Sequence, residues 1–155
     1  MAQLKAILIT ESAGAPLHSV SHVRAVAHKG LEGDRYFYQR GSFNQKMFDQ
    51  NVRDISLIAY ESIQDCNQRL DTDLSMEDFR RNLVTQGIDL TTLKGKKFRI
   101  GEVLFSYARS APPCRYLSRL LGEDMMRGLK YIGGIRATVE QSGMIYQGDT
   151  LEILS

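Results

Sequence analysis

Short runs in which β-branched and aromatic residues alternate with polar ones, several of them closed by glycine, recur along the whole 155-residue chain. A chain punctuated in this way is committed to many short strands and has little room for long helices. The runs are Lys5–Thr10, His22–Ala27, Ile55–Ala59, Leu83–Gln86, Lys97–Ile100, Val103–Arg109, Gly134–Glu140 and Thr150–Leu154. Lys97–Ile100 and Val103–Arg109 are separated only by Gly101-Glu102, and glycine at the first central position permits the positive φ of a primed turn, so the pair predicts a hairpin. The tail follows the same logic more loosely. Thr138-Val139-Glu140 leads through Gln141-Ser142-Gly143 to Met144-Ile145-Tyr146, and Gln147-Gly148-Asp149 turns the chain into Leu151-Glu152-Ile153.

Helical signals are few. Tyr60–Leu70 sets Ile63, Cys66 and Leu70 on one face, with Glu61, Gln64, Asp65 and Gln68 on the others. Ser75-Met76-Glu77-Asp78 resembles a capping box opening a short helix through Phe79. After Pro113, Leu117, Leu120 and Leu121 form a stripe over Tyr116–Leu121 that Gly122 stops. The prediction is therefore a mainly β chain with short helices (α+β), folded as a closed or half-closed β-barrel.

With 43% hydrophobic and 25% charged residues there is apolar surface for one core, and only 3 prolines, two of them adjacent, offer no linker. Residues 1–155 are accordingly expected to form a single domain. The balance of 20 Lys+Arg against 18 Asp+Glu leaves +2, which does not supply the basic field of a general nucleic-acid binder. No run approaches the length of a membrane span, and the mean hydropathy is −0.28. Two cysteines are too few for a disulfide framework, so the expectation is reduced thiols in a cytoplasmic protein, with no nucleic-acid or membrane partner.

The thiols differ in setting. Cys66 belongs to an apolar helical stripe and reads as a small buried hydrophobe. Cys114 follows Pro112-Pro113, opens a predicted helix and has Arg109, Arg115 and Arg119 within five residues; helix dipole and guanidinium charge both favour a thiolate there. Further arginines stand beside glycines or turns, in Gly30-Leu31-Glu32-Gly33-Asp34-Arg35, Phe79-Arg80-Arg81-Asn82 and Gly133-Gly134-Ile135-Arg136, where forked donors suit phosphate or another oxyanion. The plainer roles are an ion pair of Arg35 with Glu32 or Asp34 and a solvated helix face for Arg80. Neither glycine cluster has the spacing of a P-loop or dinucleotide fingerprint, and His18, His22 and His28 make no zinc motif.

Gly30-Leu31-Glu32-Gly33-Asp34-Arg35, Phe79-Arg80-Arg81-Asn82-Leu83-Val84 with Gly87-Ile88-Asp89-Leu90, Pro112-Pro113-Cys114 and a final Gly148-Asp149, in this order, resemble the MOSC domain, the carboxy-terminal domain of molybdenum cofactor sulfurases. Tyr36 departs from the pattern, since relatives often carry histidine after Gly-Asp-Arg. The resemblance implies a MOSC-type β-barrel and a role in molybdenum cofactor chemistry, with Cys114 as the family's characteristic cysteine. It implies one of two functions. In the first, a sulfur carrier with sulfurtransferase-type activity, Cys114 takes sulfane sulfur as a persulfide from a pyridoxal-phosphate-dependent cysteine desulfurase and passes it to a molybdenum enzyme or cofactor. Pyridoxal phosphate then sits only on that partner. In the second, a non-catalytic module binds molybdopterin through Arg35, Arg80, Arg81, Asn82, Arg115 and Arg136, with Cys114 as a molybdenum ligand.

Overall fold

A computed structural model describes residues 2–12, 14–38, 55–113 and 115–154. Its strands are β1 (Gln3–Ile9), β2 (His18–Val20), β3 (His22–Val26), β4 (Gly30–Leu31), β5 (Ile55–Ala59), β6 (Leu83–Gln86), β7 (Lys97–Ile100), β8 (Val103–Ser110), β9 (Ile135–Gln141), β10 (Gly143–Tyr146) and β11 (Leu151–Ile153). The helices are short: α1 (Tyr60–Leu70), α2 (Arg115–Leu121) and α3 (Met125–Gly128). The chain is thus mostly β, as the alternating runs require. An eight-stranded sheet in the order β11-β7-β8-β9-β5-β6-β1-β2 curls into a half-barrel, and β10-β3-β4 form a second, three-stranded sheet. Among the described strands only β5 and β6 are parallel, and α1 lies in the crossover between them.

The period of two sorts neighbouring residues into two cores. Ile7, Leu57 and Leu83 point into the curl with Phe98 and Phe105, whereas Leu8, Ile58 and Val84 point outward, where Ile63 and Cys66 of α1, Leu117 of α2 and Met125 of α3 cover them. Strand β5, covered on both faces, is buried throughout. Phe98 lies directly opposite Phe105 across the predicted hairpin and stacks on it at 5.4 Å. The curl also brings the two flanks of the sheet together. Gln3 bridges Thr150, the Leu4 amide donates to the Asp149 carbonyl at 2.8 Å, and the Gly148 amide donates back to Leu4 at 2.7 Å.

The helix over Tyr60–Leu70 is found with its predicted bounds and ends where Asp71 turns left-handed. Ser75 opens a 3-10 turn, Met76–Phe79, with its amide and hydroxyl both donating to Asp78. The tail differs from the loose hairpin expected of it. After Gln141 the chain leaves its neighbour: β10 pairs with β3, Gly143 opposite Ala25, and the Ser142 hydroxyl receives the Ala27 amide at 2.8 Å. Burial of Val23, Ala25 and Ile145 in the inner core explains the exchange, because it lets the small sheet bury its apolar face.

Candidate functional site

Four arginines from three separate segments of the sequence meet around one tyrosine. Arg35 and Tyr36 follow β4, Arg80 and Arg81 sit between the 3-10 turn and β6, and Arg136 is the second residue of β9. Tyr36 is buried, with the Arg35 guanidinium 4.4 Å and the Arg136 guanidinium 5.1 Å from its ring centre. Arg136 also donates from Nη2 to the Tyr36 hydroxyl at 3.3 Å.

Asp34 organises the first of these arginines. Its carboxylate is fully buried and accepts from the Thr10 amide, the Tyr36 amide and Arg35 Nη1, at 3.2, 3.2 and 3.1 Å. Of the two acids weighed for Arg35 from the sequence, Asp34 is the partner. Arg35 continues through Nη2 to the Arg80 carbonyl at 3.2 Å.

The Arg80–Arg81 pair ties three separate segments of backbone together. Arg81 donates from Nε to the Gly133 carbonyl at 3.0 Å and from Nη2 to the Ala111 carbonyl at 2.9 Å. Arg80 donates to the Ala15 carbonyl at 2.7 Å, and a Cβ added at the preceding Gly14 would meet the Tyr116 hydroxyl of α2. Arg80 takes φ of 61°, a conformation that non-glycine residues adopt at a cost where the surroundings hold them. Burial, and then the like charge of Arg35, lower its pKa; Tyr116, Tyr36 and Asp34 push the other way. Cys114, the expected thiolate, lies outside the described residues.

The other predicted binding residues make no hydrogen bond to these four arginines among those described. Arg115 is exposed at the start of α2. Asn82 is fully buried and joins two strands: its Nδ2 donates to the Leu8 carbonyl and its Oδ1 accepts from the Ser56 amide and hydroxyl. Cys66 is buried on α1, and desolvation raises its thiol pKa despite the opposing charge of Arg69.

Two residues of the site carry no ligand motif in the sequence, Asp34 as the organiser and Tyr36 as the hub. The signal for Tyr36 was its departure from the family pattern directly after Gly33-Asp34-Arg35. Burial alone would raise the pKa of its phenol, but the charges of Arg136, Arg35 and Arg81, with the hydrogen bond from Arg136, outweigh burial and hold it below the ordinary value. A phenol whose folded pKa is depressed contributes stability that is present above its unfolded pKa and is lost as pH falls through the folded one. The stability gap between wild type and Tyr36→Phe is therefore expected to widen from neutral toward alkaline pH. Urea unfolding at a series of pH values checks this, and a gap independent of pH would contradict it.

A cavity of about 870 Å³ lies behind the same segment. Ala111, Pro112, Pro113 and Gly133 form part of its wall, so Arg81 braces that wall from the opposite side. Among the described residues no group of three histidines, cysteines or carboxylates is placed to hold a metal ion. No helix among them is long and apolar enough to cross a membrane.

The family model of the MOSC domain matches residues 44–152. Among solved structures, the YuaD protein of Bacillus subtilis superposes with a TM-score of 0.83 at 20% identity, covering 99% of this chain and 96% of that one. YiiM of Escherichia coli gives 0.72 at 20% identity over 100% and 70% of the two chains, and YiiM of Geobacillus stearothermophilus 0.72 at 16% over 100% and 76%. No curated protein sequence matches.

Proposed function

The chain belongs to the MOSC domain family, a family linked to molybdenum cofactor functions, and from that premise we propose that it is a cytoplasmic sulfur carrier or sulfurtransferase acting through Cys114. The observation that carries this reading is that Arg81 holds the Ala111 carbonyl, three residues before Cys114 in the sequence, together with the Gly133 carbonyl. Guanidinium charge near a thiol favours the thiolate, which is the nucleophile of sulfur exchange.

In the proposed step the Cys114 thiolate attacks the terminal sulfur of a donor persulfide. The donor S–S bond breaks, the donor leaves as a thiolate, and a new S–S bond forms at Cys114. An acceptor nucleophile then takes the terminal sulfur and returns Cys114 as a thiolate. The donor is a pyridoxal-phosphate-dependent cysteine desulfurase, and the acceptor is a molybdenum enzyme or its cofactor.

The convergence of Arg35, Arg80, Arg81 and Arg136 on Tyr36 favours a second reading, in which the chain is a molybdopterin-binding module. Forked donors and the mutual repulsion of Arg35 and Arg80 both fit a phosphate group, which these arginines would hold while Cys114 supplied a thiolate ligand to molybdenum. When bound, the cofactor would supply molybdenum redox and sulfur chemistry.

Incubation with a cysteine desulfurase and free cysteine is expected to add one sulfur atom to wild type and to Cys66→Ser, and none to Cys114→Ser, by intact mass. The buried, raised-pKa Cys66 is expected to stay unmodified while folded. Equal loading of Cys114→Ser would end the carrier reading. Absence of loading on wild type, together with stoichiometric molybdenum and pterin after purification, would select the module.

A further inference from the structure

We propose that the cavity of about 870 Å³ behind the Ala111–Pro113 segment is a small-molecule site that takes an organic cation, a molecule with a flat apolar body and one ammonium end. Its size lies within the range of ordinary ligand pockets. Its walls are held in place by the fold. Arg81 fixes Ala111 and Gly133 from behind, the Ala111 amide donates to the Gly134 carbonyl at 2.9 Å, and Glu61 of α1 accepts the Gly87 amide at 2.9 Å and so ties the helix to the opposite wall.

The body of the ligand is read from the apolar lining. Ile88, Leu90, Pro112, Pro113, Ile132 and Ile135 leave no polar partner for the middle of a ligand other than backbone and hydroxyl groups. Desolvating a charged or strongly polar body against them would cost more than it returned.

The charged end is read from the ionisable groups. Among the described residues Glu61, Asp65 and Asp89 stand around the cavity against Lys94 alone, although the chain as a whole carries +2. Asp89 is engaged in capping the Thr91 amide, so its charge contributes without reorientation. Asp65 is exposed on the second turn of α1 and forms no ion pair among the described residues. Tyr107, half-buried in the lining, adds an aromatic surface of the kind that attracts cations. An anion would be repelled here, while the arginine cluster on the other side of the Ala111–Gly133 wall serves that sign of charge.

The site stands independently of the sulfur reading. Benzylamine, benzyl alcohol and benzoate share one ring and differ at one group, so they separate the two parts of the claim. In ¹⁵N-correlated spectra of the full chain at neutral pH, benzylamine is expected to give saturable shifts at Gly87–Thr91 and Gly133–Ile135. Benzyl alcohol is expected to bind more weakly and benzoate weakest. Asp65→Asn is expected to weaken benzylamine about 2- to 5-fold, as for a partly exposed charge pair, and Ser62→Trp to abolish its binding by filling the cavity without lowering the unfolding midpoint. No saturable benzylamine binding, equal or tighter binding of benzoate, or full binding by folded Ser62→Trp would each overturn the proposal. Repeating the titration on Cys114→Ser, which is expected to leave the shifts unchanged, keeps its failure distinguishable from that of the carrier reading.

Discussion

Replacement of Asp34 by alanine is expected to cost about 3–5 kcal/mol of folding stability, the penalty for breaking a buried ion pair by removing one partner. The carboxylate is fully enclosed and serves three donors at once, so its loss orphans the Thr10 and Tyr36 amides and leaves Arg35, 3% exposed, bonded to the Arg80 carbonyl. An uncompensated guanidinium in that position repels Arg80, whose own charge is already disfavoured by burial. Against a total stability of about 5–15 kcal/mol for a domain, such a loss leaves the variant marginal at best. Urea midpoints at constant m-value measure it, and a loss below about 1 kcal/mol would show that water replaces the carboxylate. The double change Asp34→Leu with Arg35→Met is expected to recover part of the loss, since no charge then remains to be buried.

The second large effect is expected at Gly134. Its φ is 101°, a region that residues with a Cβ rarely enter, and the added methyl of Gly134→Ala would land on the Leu57 carbonyl oxygen. Neither side can yield cheaply. Leu57 is paired with Leu83 on one side and with Ile135 on the other, and the Gly134 carbonyl holds the Ala111 amide. Relief requires β9 to peel from β5 at the point where Arg136 enters the site. The expected cost is about 4 kcal/mol or more, at the exceptional end for one substitution, seen as a collapsed thermal midpoint or insoluble expression. A soluble variant melting within a few degrees of wild type would refute it.

The strands that alternate, and the helix Tyr60–Leu70, were readable because each repeats its period long enough to declare which face is buried. Strands β2 and β4 and helix α3 were not, being too short to show any period and formed because their neighbours offer partners. The exchange of β10 onto β3 was hidden for a related reason. Gly143–Tyr146 reads as a strand, but only burial of Val23 and Ile145 in a shared core decides what it pairs with.

At the site, the turn- and glycine-flanked arginines singled out were Arg35, Arg80, Arg81 and Arg136, but sequence could not show that the first three clamp backbone carbonyls while the set surrounds a tyrosine. Tyr36 and Asp34 are ordinary residues until the fold encloses them. The cavity was illegible because its lining comes from separated segments, none of which carries a motif.

The seam between Ala2–Leu4 and Asp149–Leu151 joins residues separated by almost the whole polypeptide. Contacts of such long sequence range are reached late, because the entropy of closing the loop must be met before they repay it. During synthesis the first strand leaves the ribosome long before its distal partner exists, with β6 also still to come and the outer row of β1 open to β2 alone. The curl therefore seals only after translation has passed Leu151, and until then the Gln3–Leu4 end of β1, beyond its pairing with β2 at Ile7–Ile9, is left as an open edge of the kind that chaperones cover.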